Sequence, residues 1–207
     1  KFYNASNLNK VMNQSETCVS SAKLNRSAPD FSATIFHNDK FSEIQTEKLR
    51  DKFVILFFYP ADFTFVCPTE LEDMAEQYSR LQELGTEVLG ISTDTHFVHK
   101  AWYDASEVIR KIKFPMVNDA NHSISLAYGV LRDGEGAADR ATIIIDPDGI
   151  IKSIEVSDEP VGRNAVETVR KVEALKFARE NPGDVCPARW KTGDRTLKPG
   201  IDLVGKL

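Results

Sequence analysis

Apolar residues fall into short runs separated by polar turns, and the period of each run predicts its element. Phe31, Ala33 and Ile35 alternate with polar residues and predict a strand, Asn38-Asp39 a turn, and Phe41–Ile44 a second short strand. Phe53-Val54-Ile55-Leu56-Phe57-Phe58 is an unbroken β-prone run, the pattern of a strand covered on both faces. After a turn at Pro60, the residues Leu71, Met74, Ala75, Tyr78, Leu81 and Leu84 recur at helical spacing, and Gly85 supplies a stop. Glu87–Ser92 predicts a strand, Phe97–Ile112 a helix holding Trp102 and Tyr103, Phe114–Val117 a short strand, and Ile124–Tyr128 a short helix closed by Gly129. Arg132–Gly136 reads as a loop. Ala141–Ile145 and Ile150–Val156 predict a pair of strands joined by the turn Asp146-Pro147-Asp148-Gly149, and Asn164–Arg179 predicts a last helix ended by Asn181-Pro182-Gly183. Strands alternating with helices, then a hairpin, then a helix, predict an α/β fold: a mixed sheet with helices on both faces.

Composition changes this picture mainly at the two ends. Residues 1–28 are polar and rich in Asn and Ser, which predicts a flexible extension; 29–180 form the folded domain, and 181–207 a tail containing Pro and Gly. The 207 residues are 42% hydrophobic and 28% charged, enough for one sizeable core. A net charge of −5 without a basic block argues against a nucleic-acid partner. No apolar run approaches the ~20 residues of a membrane span, and the opening Lys1-Phe2-Tyr3-Asn4 lacks the apolar core of a signal peptide. The three cysteines, Cys18, Cys67 and Cys186, are far apart and include no Cys-x-x-Cys, so a disulfide scaffold is not expected and a cytoplasmic, redox-active protein is. Cys18, between Thr17 and Val19, reads as an incidental thiol. His37, His96, His99 and His122 cluster with no cysteine or carboxylate in sequence, so neither a metal nor another cofactor is expected.

The candidate chemistry sits between the central strand and the helix after it, in Phe57-Phe58-Tyr59-Pro60-Ala61-Asp62-Phe63-Thr64-Phe65-Val66-Cys67-Pro68-Thr69-Glu70. Pro68 suits the first helical position, which puts Cys67 at or just before the helix N-terminus. Unpaired N–H groups and the helix dipole favour an anion there, and a thiolate is an anion and a nucleophile. Thr64 can offer its hydroxyl to the sulfur or to whatever approaches it. A cysteine in a helix cap is ordinarily buried and inert; the strand–turn–helix setting is what makes this one a candidate.

Pro60, Thr64 and Cys67 match the Pro-x-x-x-Thr-x-x-Cys signature of the peroxiredoxins, and the longer string resembles their typical two-cysteine branch, of the bacterial alkyl hydroperoxide reductase C type. The resemblance extends from about Pro29 to Leu207. It implies a thioredoxin-like fold and a peroxidase acting on hydrogen peroxide and organic hydroperoxides through a sulfenic acid on Cys67. It further implies that Arg140 holds the thiolate and the peroxide oxygens, that Glu70 orients Arg140, and that Trp102 packs against the pocket. Cys186, in Val185-Cys186-Pro187-Ala188, matches the resolving cysteine, which forms a disulfide with Cys67 across a homodimer. An external dithiol then regenerates the enzyme, either a flavoprotein disulfide reductase fed by NADH or thioredoxin, and the assembly is a decamer of five dimers. Overoxidation-sensitive relatives close the pocket with a Gly-Gly-Leu-Gly loop and a Tyr-Phe end. Asp133-Gly134-Glu135-Gly136 and Leu203–Leu207 lack both, which implies a tail pinned by few apolar contacts and resistance to overoxidation, an argument weakened if Trp190 or Leu197 buries the tail instead.

Two other classes compete. A thioredoxin-type oxidoreductase needs Cys-x-x-Cys, but the residue three after Cys67 is Glu70. A structural or chaperone role would survive Cys67→Ser, whereas an enzyme would not.

Overall fold

The computed structural model describes residues 22–206. Cys18 and most of the expected 1–28 extension lie outside the described residues. The strands are β1 (Ser32–His37), β2 (Lys40–Gln45), β3 (Phe53–Phe58), β4 (Thr86–Ser92), β5 (Met116–Asn118), β6 (Arg140–Ile145) and β7 (Ile151–Ser157); the helices are α1 (Cys67–Glu83), α2 (His96–Ala105), α3 (Ser123–Ala127) and α4 (Ala165–Glu180). The strands form one sheet in the order β2-β1-β5-β4-β3-β6-β7. The pairs β3–β4 and β4–β5 are parallel and the other neighbours antiparallel, so the sheet is mixed, as the alternating pattern predicts.

All six residues of β3 are buried, because the strand has a paired strand on each side and a core on each face. Phe53, Ile55 and Phe57 point into a core closed by α1, α4 and Trp102 of α2; Val54, Leu56 and Phe58 point into the opposite core, with Ile124 of α3 and Tyr128 just after it. Gly85 (φ +72°) and Gly129 (φ +68°) end α1 and the turn after α3 in the left-handed region, where a side chain is disfavoured. On the N-terminal side of the expected boundary at 28, the Asn25 and Ala28 N–H groups donate to Ile151 and Gly149 carbonyls.

Two expected elements differ. The helix expected over Phe97–Ile112 stops at Ala105, and a 3-10 turn covers Ile109–Lys111. Ser106 makes the break: its N–H still donates to Trp102 O, but its hydroxyl accepts from the Ile109 N–H and starts a new turn. The strand expected over Phe114–Val117 lies two residues on, at Met116–Asn118, since Pro115 has no N–H for the ladder.

Candidate active site

Strand β3 ends at Phe58, and Tyr59–Val66 carry the chain from the sheet to the start of α1. Cys67 is itself the first residue of the helix, with Pro68 one position further in than the sequence suggests. Carbonyl oxygens do not face the sulfur from its own helix at that position; the unpaired N–H end does. The cysteine is fully buried at 0% exposure.

Arg140, at the start of β6, donates from Nη1 to Cys67 Sγ at 3.3 Å and to Glu70 Oε2 at 2.8 Å, while its Nε donates to the Glu159 carbonyl at 2.6 Å. Strand β6 lies beside β3, which is why a residue 73 positions away meets the cysteine. The Arg140 guanidinium is only 3% exposed. Burial alone would pull it down, but Cys67 and Glu70 outweigh burial and hold it above its ordinary value. Arg140 therefore presents a permanent positive charge to the sulfur.

Glu70 accepts from a second guanidinium that the sequence reading missed. Arg163, just before α4, donates to Glu70 from its backbone N (2.9 Å), its Nε (2.8 Å) and its Nη2 (3.1 Å). Its Nη1 donates to Ala141 O and Thr142 Oγ1, and its Cζ lies 3.6 Å from the Phe57 ring centroid. Burial would raise the Glu70 carboxyl, but Arg163 and then Arg140 overcome it and hold it below the ordinary glutamate value. Arg163 is pulled down by burial from a starting point so high that it stays cationic. Nothing near Arg163 in sequence signals a partner 93 residues away; the adjacent helix cap Asn164 is the only local cue that the chain turns there.

The remaining candidates line the loop. Pro60 is buried at the end of the central strand. Thr64 donates its hydroxyl to the Ala61 carbonyl at 2.9 Å, closing a turn within the loop, and so does not give its proton to the sulfur. Trp102 packs over the loop, 6.3 Å from the Tyr59 ring and 5.9 Å from the Phe63 ring. Phe63 has φ +55°, a strained value for a bulky residue that packing against Trp102 helps to hold.

Cys186 lies elsewhere, half-buried in the tail, with its Sγ 3.8 Å from the Ala174 carbonyl of α4. The start of α4 borders the Cys67 site, and Ala165 and Ala174 stand about 14 Å apart along the helix, so the two thiols of one chain are not within bonding reach. Burial pushes the Cys186 thiol up, against Arg170, which keeps it protonated where it is docked. The tail is not loosely held. Trp190 is 2% exposed, stacks on Phe177 at 5.0 Å, and its carbonyl accepts from Arg170. The tail also pairs with itself through Val185 and Leu197. Trp190 is thus an apolar anchor in place of the missing Tyr-Phe, the contact that weakens the expectation of a loosely pinned tail.

Known proteins place this arrangement. Residues 24–154 match the AhpC/TSA family. The chain is 51% identical over 177 residues to alkyl hydroperoxide reductase C of Bacillus subtilis, covering 86% of this chain and 95% of that protein. It is 48% identical over 184 residues to alkyl hydroperoxide reductase C of Escherichia coli K12, covering 89% and 98%. The crystal structure of Enterococcus faecalis AhpC superposes with a TM-score of 0.78 at 49% identity, covering 80% of this chain and 99% of that one. Reduced Plasmodium vivax 2-Cys peroxiredoxin superposes with a TM-score of 0.81 at 33% identity, covering 86% and 94%. The mixed sheet is therefore the thioredoxin-like fold of those structures, and the chain belongs to the AhpC/TSA family as a peroxiredoxin, a peroxidase of antioxidant function.

Proposed function

We propose that Cys67 is the peroxidatic nucleophile and that hydrogen peroxide and alkyl hydroperoxides are its substrates. The observation that carries this reading is Arg140 Nη1 at 3.3 Å from a buried cysteine sulfur on the first residue of a helix. The thiolate attacks the hydroxyl oxygen of the peroxide; the O–O bond breaks, Cys67 becomes a sulfenic acid, and the alkoxide or hydroxide leaves and takes a proton from water. Arg140 stabilises the charge that develops on the leaving oxygen, and Glu70 and Arg163 hold Arg140 in place. Pro60 and Thr64 form the wall against which the peroxide lies, with Trp102 behind it.

Cys186 of a second subunit then attacks the sulfenic acid, releasing water and forming a disulfide. The separation of the two thiols within one chain supports an intersubunit bond, as does the tail position of Cys186. The domain at 29–180 would supply the nucleophile, the tail at 181–207 the resolving thiol, and a decamer of five dimers the assembly. A flavoprotein disulfide reductase fed by NADH is the proposed reductant, with thioredoxin as the alternative, in the cytoplasm. Among the described residues no helix is long and apolar enough to cross a membrane.

Mass spectrometry of reduced protein after one equivalent of peroxide and a sulfenic-acid trap tests the reading: the adduct is expected on Cys67. An adduct on Cys186 or Cys18 instead would reassign the nucleophile. Without the trap, a disulfide-linked dimer is expected on a non-reducing gel. Cys186→Ser should abolish that dimer and leave one turnover of peroxide intact. Arg140→Met, which keeps the bulk and removes the charge, is expected to slow the single-turnover reaction by about 10²-fold or more, read by stopped flow.

A further inference from the structure

Beneath the active-site loop lies a buried polar chain that the peroxidase mechanism does not use. His99 and Asp62 both have side chains at 0% exposure. His99 Nδ1 lies 2.8 Å from Asp62 Oδ2, and its Nε2 lies 3.1 Å from the Val117 carbonyl on β5. Tyr59 donates its hydroxyl to Asp62 Oδ1 at 2.8 Å. The Asp62 N–H donates to Asp94 Oδ2, which also accepts from Ser92 Oγ.

A backbone carbonyl only accepts, so Nε2 must carry its proton. Nδ1 faces a carboxylate oxygen, so a second proton sits between ring and carboxylate. Beside an ionised Asp62 a neutral imidazole has one N–H and cannot serve both partners, whereas an imidazolium serves both; a neutral ring is satisfied only if Asp62 itself holds the proton and donates it to Nδ1, the arrangement that the nitrogen measurement below distinguishes. The two partners pull in different directions: burial holds the Asp62 carboxyl above its ordinary value against His99. Burial alone would pull His99 down, but Asp62 and then the further carboxylate of Asp94 overcome it and hold His99 above its ordinary value, in favour of the charged form.

The position of the pair gives it a task. Asp62 stands between Pro60 and Thr64, and His99 stands on α2 one turn before Trp102, which packs on Tyr59 and Phe63. Helix α2 thus grips the loop at two points, an ion pair at Asp62 and an indole on Tyr59 and the strained Phe63. We infer that His99 is a positioning residue for the peroxidase reaction: as an imidazolium it fixes the Asp62 carboxylate and, through it, the Pro60–Thr64 loop that shapes the pocket above Cys67. This rests on the reading that Cys67 is the nucleophile.

The charge gives a signature that simple packing lacks. Losing a proton leaves His99 one N–H for two acceptors, and the hold on Asp62 or on Val117 is lost. Tyr59, itself raised well above its ordinary value by burial and then Asp62, stays protonated and cannot take over the role of a cation. The single-turnover rate of the full-length reduced protein with peroxide, followed from about pH 6 to 10, should therefore fall on an alkaline limb. Over the same range, nitrogen NMR of the wild-type side chain should show both His99 nitrogens protonated at neutral pH and one lost along that limb. His99→Gln should be about tenfold slower at neutral pH and should lack the limb. A wild-type rate that stays flat while His99 titrates overturns the inference, as does an unprotonated His99 nitrogen at neutral pH; both are read on wild-type protein even if the variant does not fold. A folded His99→Gln protein with the wild-type rate and profile overturns it too. An absence of Cys67 oxidation in the wild type would instead remove the underlying assignment of the nucleophile.

Discussion

Cys67→Ser protein is expected to consume peroxide at least ~10³-fold more slowly than wild type and to unfold at nearly the same denaturant concentration. The rate falls because a serine hydroxyl stays protonated at neutral pH, and no neighbouring base is placed to activate it: the group at 3.3 Å is the Arg140 cation, which has no acceptor to offer a proton. Folding is spared because the side chain shrinks only slightly and the hydroxyl can still accept from Arg140. Arg140 in turn keeps its bonds to Glu70 and to the Glu159 carbonyl. Peroxide consumption with excess dithiol, measured beside urea unfolding, separates the two effects. Wild-type activity in the variant would favour the structural or chaperone reading; loss of both activity and folding would show that the thiol is needed for stability.

What the sequence shows of this site is what local chemistry determines. The β3 run, the turn at Pro60 and the helix of Leu71, Met74 and Leu81 lie within one stretch, and their periods place Cys67 at the helix start to within one position. Arg140, Glu70 and Trp102 came from the resemblance, since a lone arginine before a strand does not otherwise announce its partner. Arg163 and the His99–Asp62 pair stayed invisible because their contacts span 93 and 37 positions and depend on which elements the sheet brings side by side. His96 and His99 are three residues apart on a helix, a spacing that puts them on neighbouring positions of one face. In the structure the two face different partners: His99 bonds Asp62 and Val117, and His96 bonds Asn118. The break after Ala105 was hidden because Trp102, Ile109 and Ile112 are all buried and keep an apolar rhythm across a helix end made by one hydroxyl. The same limit applies to the tail, where one well-placed Trp190 replaces the terminal motif whose absence suggested looseness.

Glu70→Gln is expected to cost about 3–5 kcal/mol of stability at neutral pH, the range found when one partner of a buried ion pair is removed. Glu70 is 3% exposed and accepts four hydrogen bonds from two guanidinium-bearing residues. Gln keeps the shape but turns one accepting oxygen into an NH₂ group, which then faces Arg140 or Arg163 donor to donor. Two buried cations, 70 and 93 positions away in the chain, lose the carboxylate they share, which ties α1 to β6 and to the start of α4. The effect should depend on pH with a definite sign. The folded-state carboxyl lies below its ordinary value of 4.5, so its contribution is complete above that value and is lost as pH falls through the depressed folded value. Wild type and variant should therefore differ most at neutral pH and converge in acid, when urea unfolding is repeated down the acid range. The single-turnover rate should fall as well, because Arg140 loses the oxygen that aims it at Cys67. Coincident unfolding curves at neutral pH would mean that desolvation of the three charges cancels their attraction, and the triad would then serve the chemistry alone.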